Sequence, residues 1–199
     1  DEAGLIASHA LFDAVKNLNQ DDLVVALISG GGSALLPMPA DTLTLQDEID
    51  LNKALLASGA PISVMNAIRK QISQIKGGRL ALACHPARVV SLIVSDIPSD
   101  EAADVASGPT VPSAVSRAEA RALIEAWRIE LPPRIADFIK SEANLPPSPD
   151  DARFQNHTVR IIASARQSLE AAARFAEAAG IHAVILSDSI EGEARDVGA

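Results

Sequence analysis

Two hydrophobic rhythms alternate along the chain. "DLVVALIS" (22–29), "RVVSLIVSD" (88–96), "TVRIIAS" (158–164) and "HAVILSD" (182–188) are short, nearly continuous apolar runs. Runs of that length predict strands, the first two buried on both faces. Between them, apolar residues recur at helical spacing. Leu5, Leu11, Val15 and Leu18 predict a helix over 4–17. Thr44 stands three residues before Asp47, a capping-box pattern that predicts a helix over 45–58, closed by Gly59. Val64, Ile68, Ile72 and Ile75 line one face of a helix that opens near Pro61 and runs to Gly77 and Gly78. Residues 116–127, 134–140 and 168–180 predict three more helices. Strands alternating with helices give an α/β fold, a three-layer αβα sandwich with a mostly parallel sheet.

Composition narrows this picture. Of 199 residues 48% are hydrophobic but only 3% aromatic, so the core is built from Ala, Leu, Ile and Val. The net charge of −9 disfavours a nucleic-acid partner, which calls for a basic face. Cys84 is the single cysteine, which excludes an internal disulfide and makes a reducing, cytoplasmic setting the default. No apolar run reaches membrane-spanning length. The chain starts at Asp1 almost inside a helix and stops at "IEGEARDVGA", where the pattern predicts the start of another. The expectation is a piece of a longer polypeptide, with some catalytic groups outside it.

Four polar motifs fall at strand ends, where open α/β sheets bind their ligands: "SGGGS" (29–33), "SDIPSD" (95–100), "ASAR" (163–166) and "SDSIEGEAR" (187–195). Gly30, Gly31 and Gly32, flanked by Ser29 and Ser33, leave backbone N–H groups open to an anion. The run lacks the Gly-Lys-Ser/Thr end of a Walker loop. It fails G-x-G-x-x-G because Leu35 holds the third glycine position, and it is no G-x-S-x-G elbow. Asp96, just past a strand, is a candidate to hold Mg²⁺ or accept a proton. Glu101 and Asp104 read as solvated. Ser107, Gly108 and Thr110 form either an ordinary turn or a set of donors for a carboxylate or phosphate. Arg69, Lys76 and Arg79 bracket the glycine pair, either as an anion site or as a solvated basic face. His9, His85, His157 and His182 lack metal-ligand spacing.

"SGGGSALLPMP", "NAIRKQISQIKGGRLA", "VSLIVSDIPSDEAADVASGPTVPS" and "LSDSIEGEAR", in that order, resemble the glycerate 2-kinase family, whose C-terminal part carries the MOFRL signature. Older naming gives many members as hydroxypyruvate reductases. The resemblance covers nearly the whole chain and is weakest over 114–157. It implies that residues 1–199 are largely the Rossmann-like N-terminal domain, cut at its start, with most of the C-terminal domain absent. The implied reaction is phosphorylation of D-glycerate to 2-phosphoglycerate by ATP with Mg²⁺, in a cleft between two domains. A lysine in a glycine motif expected before Asp1 would be catalytic.

By the same resemblance, Ser29 to Ser33 contact phosphate or substrate, and Arg69 and Lys76 line the anionic cleft. Asp96 and Asp100 hold Mg²⁺ or orient the attacking hydroxyl, and Ser107, Gly108 and Thr110 assist in the same loop. Asp188, Glu191 and Glu193 form the cleft's far wall. Partners are then a small substrate and a nucleotide, with a homodimer left open and neither nucleic acid nor membrane. Two other readings stand beside the kinase: an NAD(P)H-dependent hydroxypyruvate reductase and a non-catalytic sugar-acid or nucleotide-binding module.

Overall fold

Three of the four apolar runs pair in the computed structural model, which describes residues 2–190 and 192–198. The strands are β1 (Leu23–Ser29), β2 (Arg88–Val94) and β3 (Thr158–Ala163), all parallel, in the order β1-β2-β3. Register sets Val24 beside Val89, Ala26 beside Ser91 and Ile28 beside Ile93, so these six share a face. Val89, Ser91 and Ile93 are buried on that face. Leu23, Val25 and Leu27 alternate with them and are 59%, 51% and 77% exposed. The expectation that β1 is covered on both faces therefore fails within the described residues.

The fourth run is not a strand. Residues 182–188 form no ladder, and Val184 and Leu186 are 69% and 86% exposed. An apolar run becomes a strand only where a neighbouring edge takes its N–H and C=O groups, and no described edge does so here.

The helices are α1 (Glu2–Ala14), α2 (Gly32–Leu35), α3 (Leu45–Ala57), α4 (Ile62–Gln71), α5 (Arg79–Ala83), α6 (Arg117–Ala126), α7 (Pro133–Lys140), α8 (Ala165–Ala178) and α9 (Ala194–Val197). The capping box of α3 forms as its sequence predicts. Thr44 Oγ1 accepts from the Asp47 N–H, and Asp47 Oδ2 accepts from the Thr44 N–H at 2.7 Å. Helix α8 begins three residues before its predicted start because Ser164 caps it.

Helix α4 departs most from expectation. Its apolar stripe continues through Ile72 to Ile75, yet the helix stops at Gln71. The chain turns to pair with 38–40: Ala40 N–H donates to Ile72 O at 2.8 Å, and Gln74 N–H to Met38 O at 2.7 Å. Ile72 and Ile75 are still buried, so the apolar residues found a core without keeping the helix. The break leaves Lys76, Gly77 and Gly78 in a turn.

Helices α3, α4, α6 and α7 bury Leu51, Leu55, Ile68, Ile72 and Ile135 against one another. Each such side chain stabilises the fold by about 1.5–3 kcal/mol. A second cluster under β2 holds Val15, Met38, Ile75, Leu80, Ala81, Cys84 and Val89. Two buried arginines act as carbonyl clamps. Arg117 donates to the carbonyls of Gln71, Phe138, Ser141 and Ala143. Arg79 donates to those of Lys70, Lys76 and Asn144. Burial, with Arg117's charge added, lowers the Arg79 guanidinium to about 10. Arg79 thus holds the turn around Lys76 and is not a ligand-facing cation.

Candidate functional site

β1 ends at Ser29, and the chain turns through Gly30 and Gly31 into α2. Gly31 has φ +77°, a left-handed conformation that favours glycine, and a Cβ there would meet nothing within 4 Å. Gly30 is required for another reason: a Cβ on it would overlap the carboxylate of Asp96. The parallel pairing explains this contact. Ser29 lies opposite Val94, so the end of β2 delivers Asp96 onto the glycine loop. Asp96 stays exposed on its other side.

The polar loop after β2 is held against the same place. Ala106, Ser107 and Gly108 all have positive φ, at 52°, 62° and 57°. Three successive left-handed residues persist only where surroundings hold them. Gly77 N–H donates to Ser107 O at 3.1 Å, and Gly78 N–H to Gly108 O at 2.8 Å. Buried Lys70 donates to Asp104 Oδ1 at 2.6 Å. Asp104 is therefore one end of a largely buried ion pair, not a freely solvated carboxylate. Ser91 Oγ and Thr110 Oγ1 share a hydrogen bond of 2.7 Å in the interior. Thr110 and Gly108 spend their polar groups inside the fold, which argues against a direct ligand role. Ser107, also buried, shares a 2.8 Å hydrogen bond with Ser33 Oγ. Ser107 positions the hydroxyl of Ser33.

Ser33 opens onto a pocket of about 340 Å³, lined also by Glu48, Asn52, Arg69 and Lys76 with Ile49 and Leu56. Lys76 Nζ pairs with Glu48 Oε1 at 3.0 Å, both side chains largely buried. Arg69 donates to Asn52 Oδ1 at 2.7 Å and to Asn66 Oδ1 at 3.1 Å. Among the described residues no carboxylate lies within ion-pair distance of Arg69. Burial pushes its guanidinium below the usual range, and the charge of Glu48 opposes that shift. Two cations and one carboxylate leave the pocket a net positive charge, which suits a small anion.

The sequence analysis did not select Glu48. A signal existed: Glu48, Leu51 and Leu55 are spaced i, i+3, i+7 in α3, so the helix puts a carboxylate at the edge of its buried stripe.

Other predicted site residues lie elsewhere. Asp100 and Asp188 line a second pocket of about 360 Å³ with Arg166 and Ser189. Asp188 pairs there with Arg166 at 3.3 Å. Glu193 is exposed at the start of α9. Glu191 lies outside the described residues. Neither Asp188 nor Glu193 lines the pocket of Arg69 and Lys76. Among the described residues no group of three or more His, Cys, Asp or Glu converges to hold a metal. A lone carboxylate on a glycine loop still suits Mg²⁺, which takes one or two carboxylates beside substrate phosphates rather than an all-protein cage. Among the described residues no helix is long and apolar enough to cross a membrane.

Residues 1–140 match the family model described as Domain of unknown function (DUF4147). A protein of Agrobacterium vitis named "Putative hydroxypyruvate reductase" is 48% identical over 198 residues, covering 100% of this chain and 50% of that protein. Glycerate kinase of Rattus norvegicus is 40% identical over 199 residues, covering 99% of this chain and 38% of that protein. The crystal structure of glycerate kinase from Thermotoga maritima superposes with a TM-score of 0.84 at 33% identity, over 98% of this chain and 46% of that one. The chain thus spans about half the length, or less, of the relatives it matches.

Proposed function

Because the chain belongs to the DUF4147 family, whose relatives include proteins named glycerate kinase, we propose that the polypeptide carrying it phosphorylates D-glycerate at the expense of ATP, giving 2-phosphoglycerate. The observation that carries this reading is the junction of two sites through one hydroxyl pair. Ser33 and Ser107 tie the cationic pocket to the glycine loop on which Asp96 rests. A small hydroxy acid in the pocket stands next to a place for phosphates.

The division of labour follows from charge. Arg69 and Lys76 receive the glycerate carboxylate, and Ser33 donates to the same molecule. The Gly30–Gly32 backbone lies against the phosphates, open at Gly31 and with the Asp96 carboxylate beside Gly30. Asp96 orients the attacking hydroxyl or would hold Mg²⁺, with Asp100, later in the same loop and lining the adjoining Arg166 pocket, as the second candidate carboxylate. Mg²⁺, when bound, neutralises charge on the transferring phosphoryl group. Phosphoryl transfer needs positioning and charge stabilisation more than a covalent nucleophile, and the residues present supply both. Residues 1–199 would be largely the N-terminal domain, with the remaining groups on the other half of the protein. The setting would be cytoplasmic.

The name of the Agrobacterium relative favours a second reading, an NAD(P)H-dependent hydroxypyruvate reductase. Against it, Leu35 replaces the third glycine of the dinucleotide pattern, and α2 has only four residues to receive a pyrophosphate. The whole protein is assayed with D-glycerate and Mg-ATP, and separately with hydroxypyruvate and NADH or NADPH. ADP release without nicotinamide oxidation is expected; rapid NAD(P)H oxidation sinks the kinase reading. Asp96→Asn is expected to lower turnover by about 10²–10⁴-fold. Unchanged turnover and Mg²⁺ dependence would remove Asp96 from the mechanism.

A further inference from the structure

Glu48 is the odd member of the cationic pocket. A pocket for an anion gains nothing from a carboxylate unless that carboxylate has a task. Neutralising Lys76 accounts for only one oxygen: Oε1 accepts from Nζ at 3.0 Å. The other, Oε2, is buried and has no hydrogen-bond partner among the described residues. A buried carboxylate oxygen left in this state is costly and rare. Glu48 as a whole is 8% exposed, and it lines the pocket beside Ser33, Asn52 and Arg69. Were charge balance for Lys76 the whole purpose, an apolar pair would serve the fold as well or better.

We propose that Glu48 is a specificity-determining residue whose Oε2 accepts a hydrogen bond from a hydroxyl of the bound hydroxy acid. This rests on the glycerate reading above and adds the group that tells a dihydroxy acid from its simpler relatives. The carboxylate of the ligand meets Arg69 and Lys76. Its hydroxyl completes Glu48. An acid without that hydroxyl leaves Oε2 unpaired in the interior, so the site rejects it even though its charge fits.

The test is a cycle between one side chain and one substrate hydroxyl. Dissociation constants are measured on the whole protein for four acids. These are D-glycerate, D-lactate (without the 3-hydroxyl), 3-hydroxypropionate (without the 2-hydroxyl) and propionate. On the unaltered protein, glycerate should bind about 10–100-fold tighter than one of the two single-hydroxyl acids, the range of a hydrogen bond to a charged acceptor. Glu48→Gln keeps an amide oxygen for Lys76 and turns an NH₂ toward the ligand. It should cost glycerate, and the acid that retains the recognised hydroxyl, most of that factor. Propionate and the other acid should shift together, by the common effect of the lost charge alone, and the KM for ATP should not change.

Weakening of all four acids alike, or of none, overturns the proposal and leaves the kinase reading standing. So does an unaltered protein that fails to separate glycerate from both single-hydroxyl acids, an arm that needs no variant to fold. An unaltered protein that binds none of the acids removes the glycerate reading itself.

Discussion

Two turns built on runs of glycine, Gly30–Gly32 and Gly77–Gly78, use glycine for opposite ends. At Gly77 and Gly78 the backbone is closed. Both N–H groups are taken by carbonyls of the 107–108 loop, and a Cβ on Gly78 would stand 2.8 Å from Pro112 Cα. At Gly30 to Gly32 the backbone is open. Among the described residues no loop or turn carbonyl meets these N–H groups, and a Cβ on Gly31 would meet nothing within 4 Å. The first turn uses small size to bring two segments of the fold together. The second uses it to keep a surface bare at Gly31, with Asp96 against Gly30 and Ala106 against Gly32. A glycine cluster is thus evidence of close approach, and only the surroundings tell whether the approaching group is protein or ligand.

The largest expected effect breaks the closed turn. Gly78→Ala sets a methyl against backbone that cannot rotate away, at φ +85°. It should cost about 3 kcal/mol of unfolding free energy by urea titration. A cost near zero would erase the contrast between the turns. Gly30→Ala should do the reverse. It displaces the Asp96 carboxylate, so turnover should fall about 100-fold while stability changes by under about 1 kcal/mol. Gly31→Ala comes next, with only the strain of a left-handed alanine, about 1 kcal/mol, read from the same titration.

The smallest effect is a pH dependence confined to the closed side. Burial, then the charge of His85, lowers the pKa of His157 below its ordinary 6.5. The unfolded chain then binds the proton more readily, so stability is lost as pH falls through the window beneath 6.5. Phe154 links this group to the closed turn, touching His157 edge-on with ring centroids 5.2 Å apart and lying against Gly78. His157→Gln should flatten the slope of stability against pH between 5 and 6.5, leaving the open turn's chemistry untouched. A slope that persists assigns it to other groups.

What the sequence carried well was local. The Thr44–Asp47 box named the start of α3, and β1, β2 and β3 lie within a residue or two of their apolar runs. The family resemblance, drawn from ordered motifs, agrees with the match over residues 1–140. What it carried poorly depended on distant partners. Ile72 and Ile75 extend a helical stripe, but pairing with residues 38–40 ended the helix, and no spacing rule records that competitor. Residues 182–188 have the composition of a strand and lack a described edge to join. Arg79 reads as a free cation until three carbonyls are found around it. Glu48 was visible as a charge at the margin of an apolar stripe, but its unpaired oxygen exists only in three dimensions.

Helix α3 offers a last consequence, for redesign. Its fold-holding side chains, Leu51 and Leu55, point into the core, while Ile49, Asn52 and Leu56 form the adjacent stripe that lines the pocket. Leu56 is 68% exposed, so little packing depends on it, and Ile49, 37% exposed, is open to the pocket on one side. A library varying those two positions would reshape the ligand wall on a rigid, well-capped rod. The helix separates the letters that spell the fold from the letters that spell the substrate.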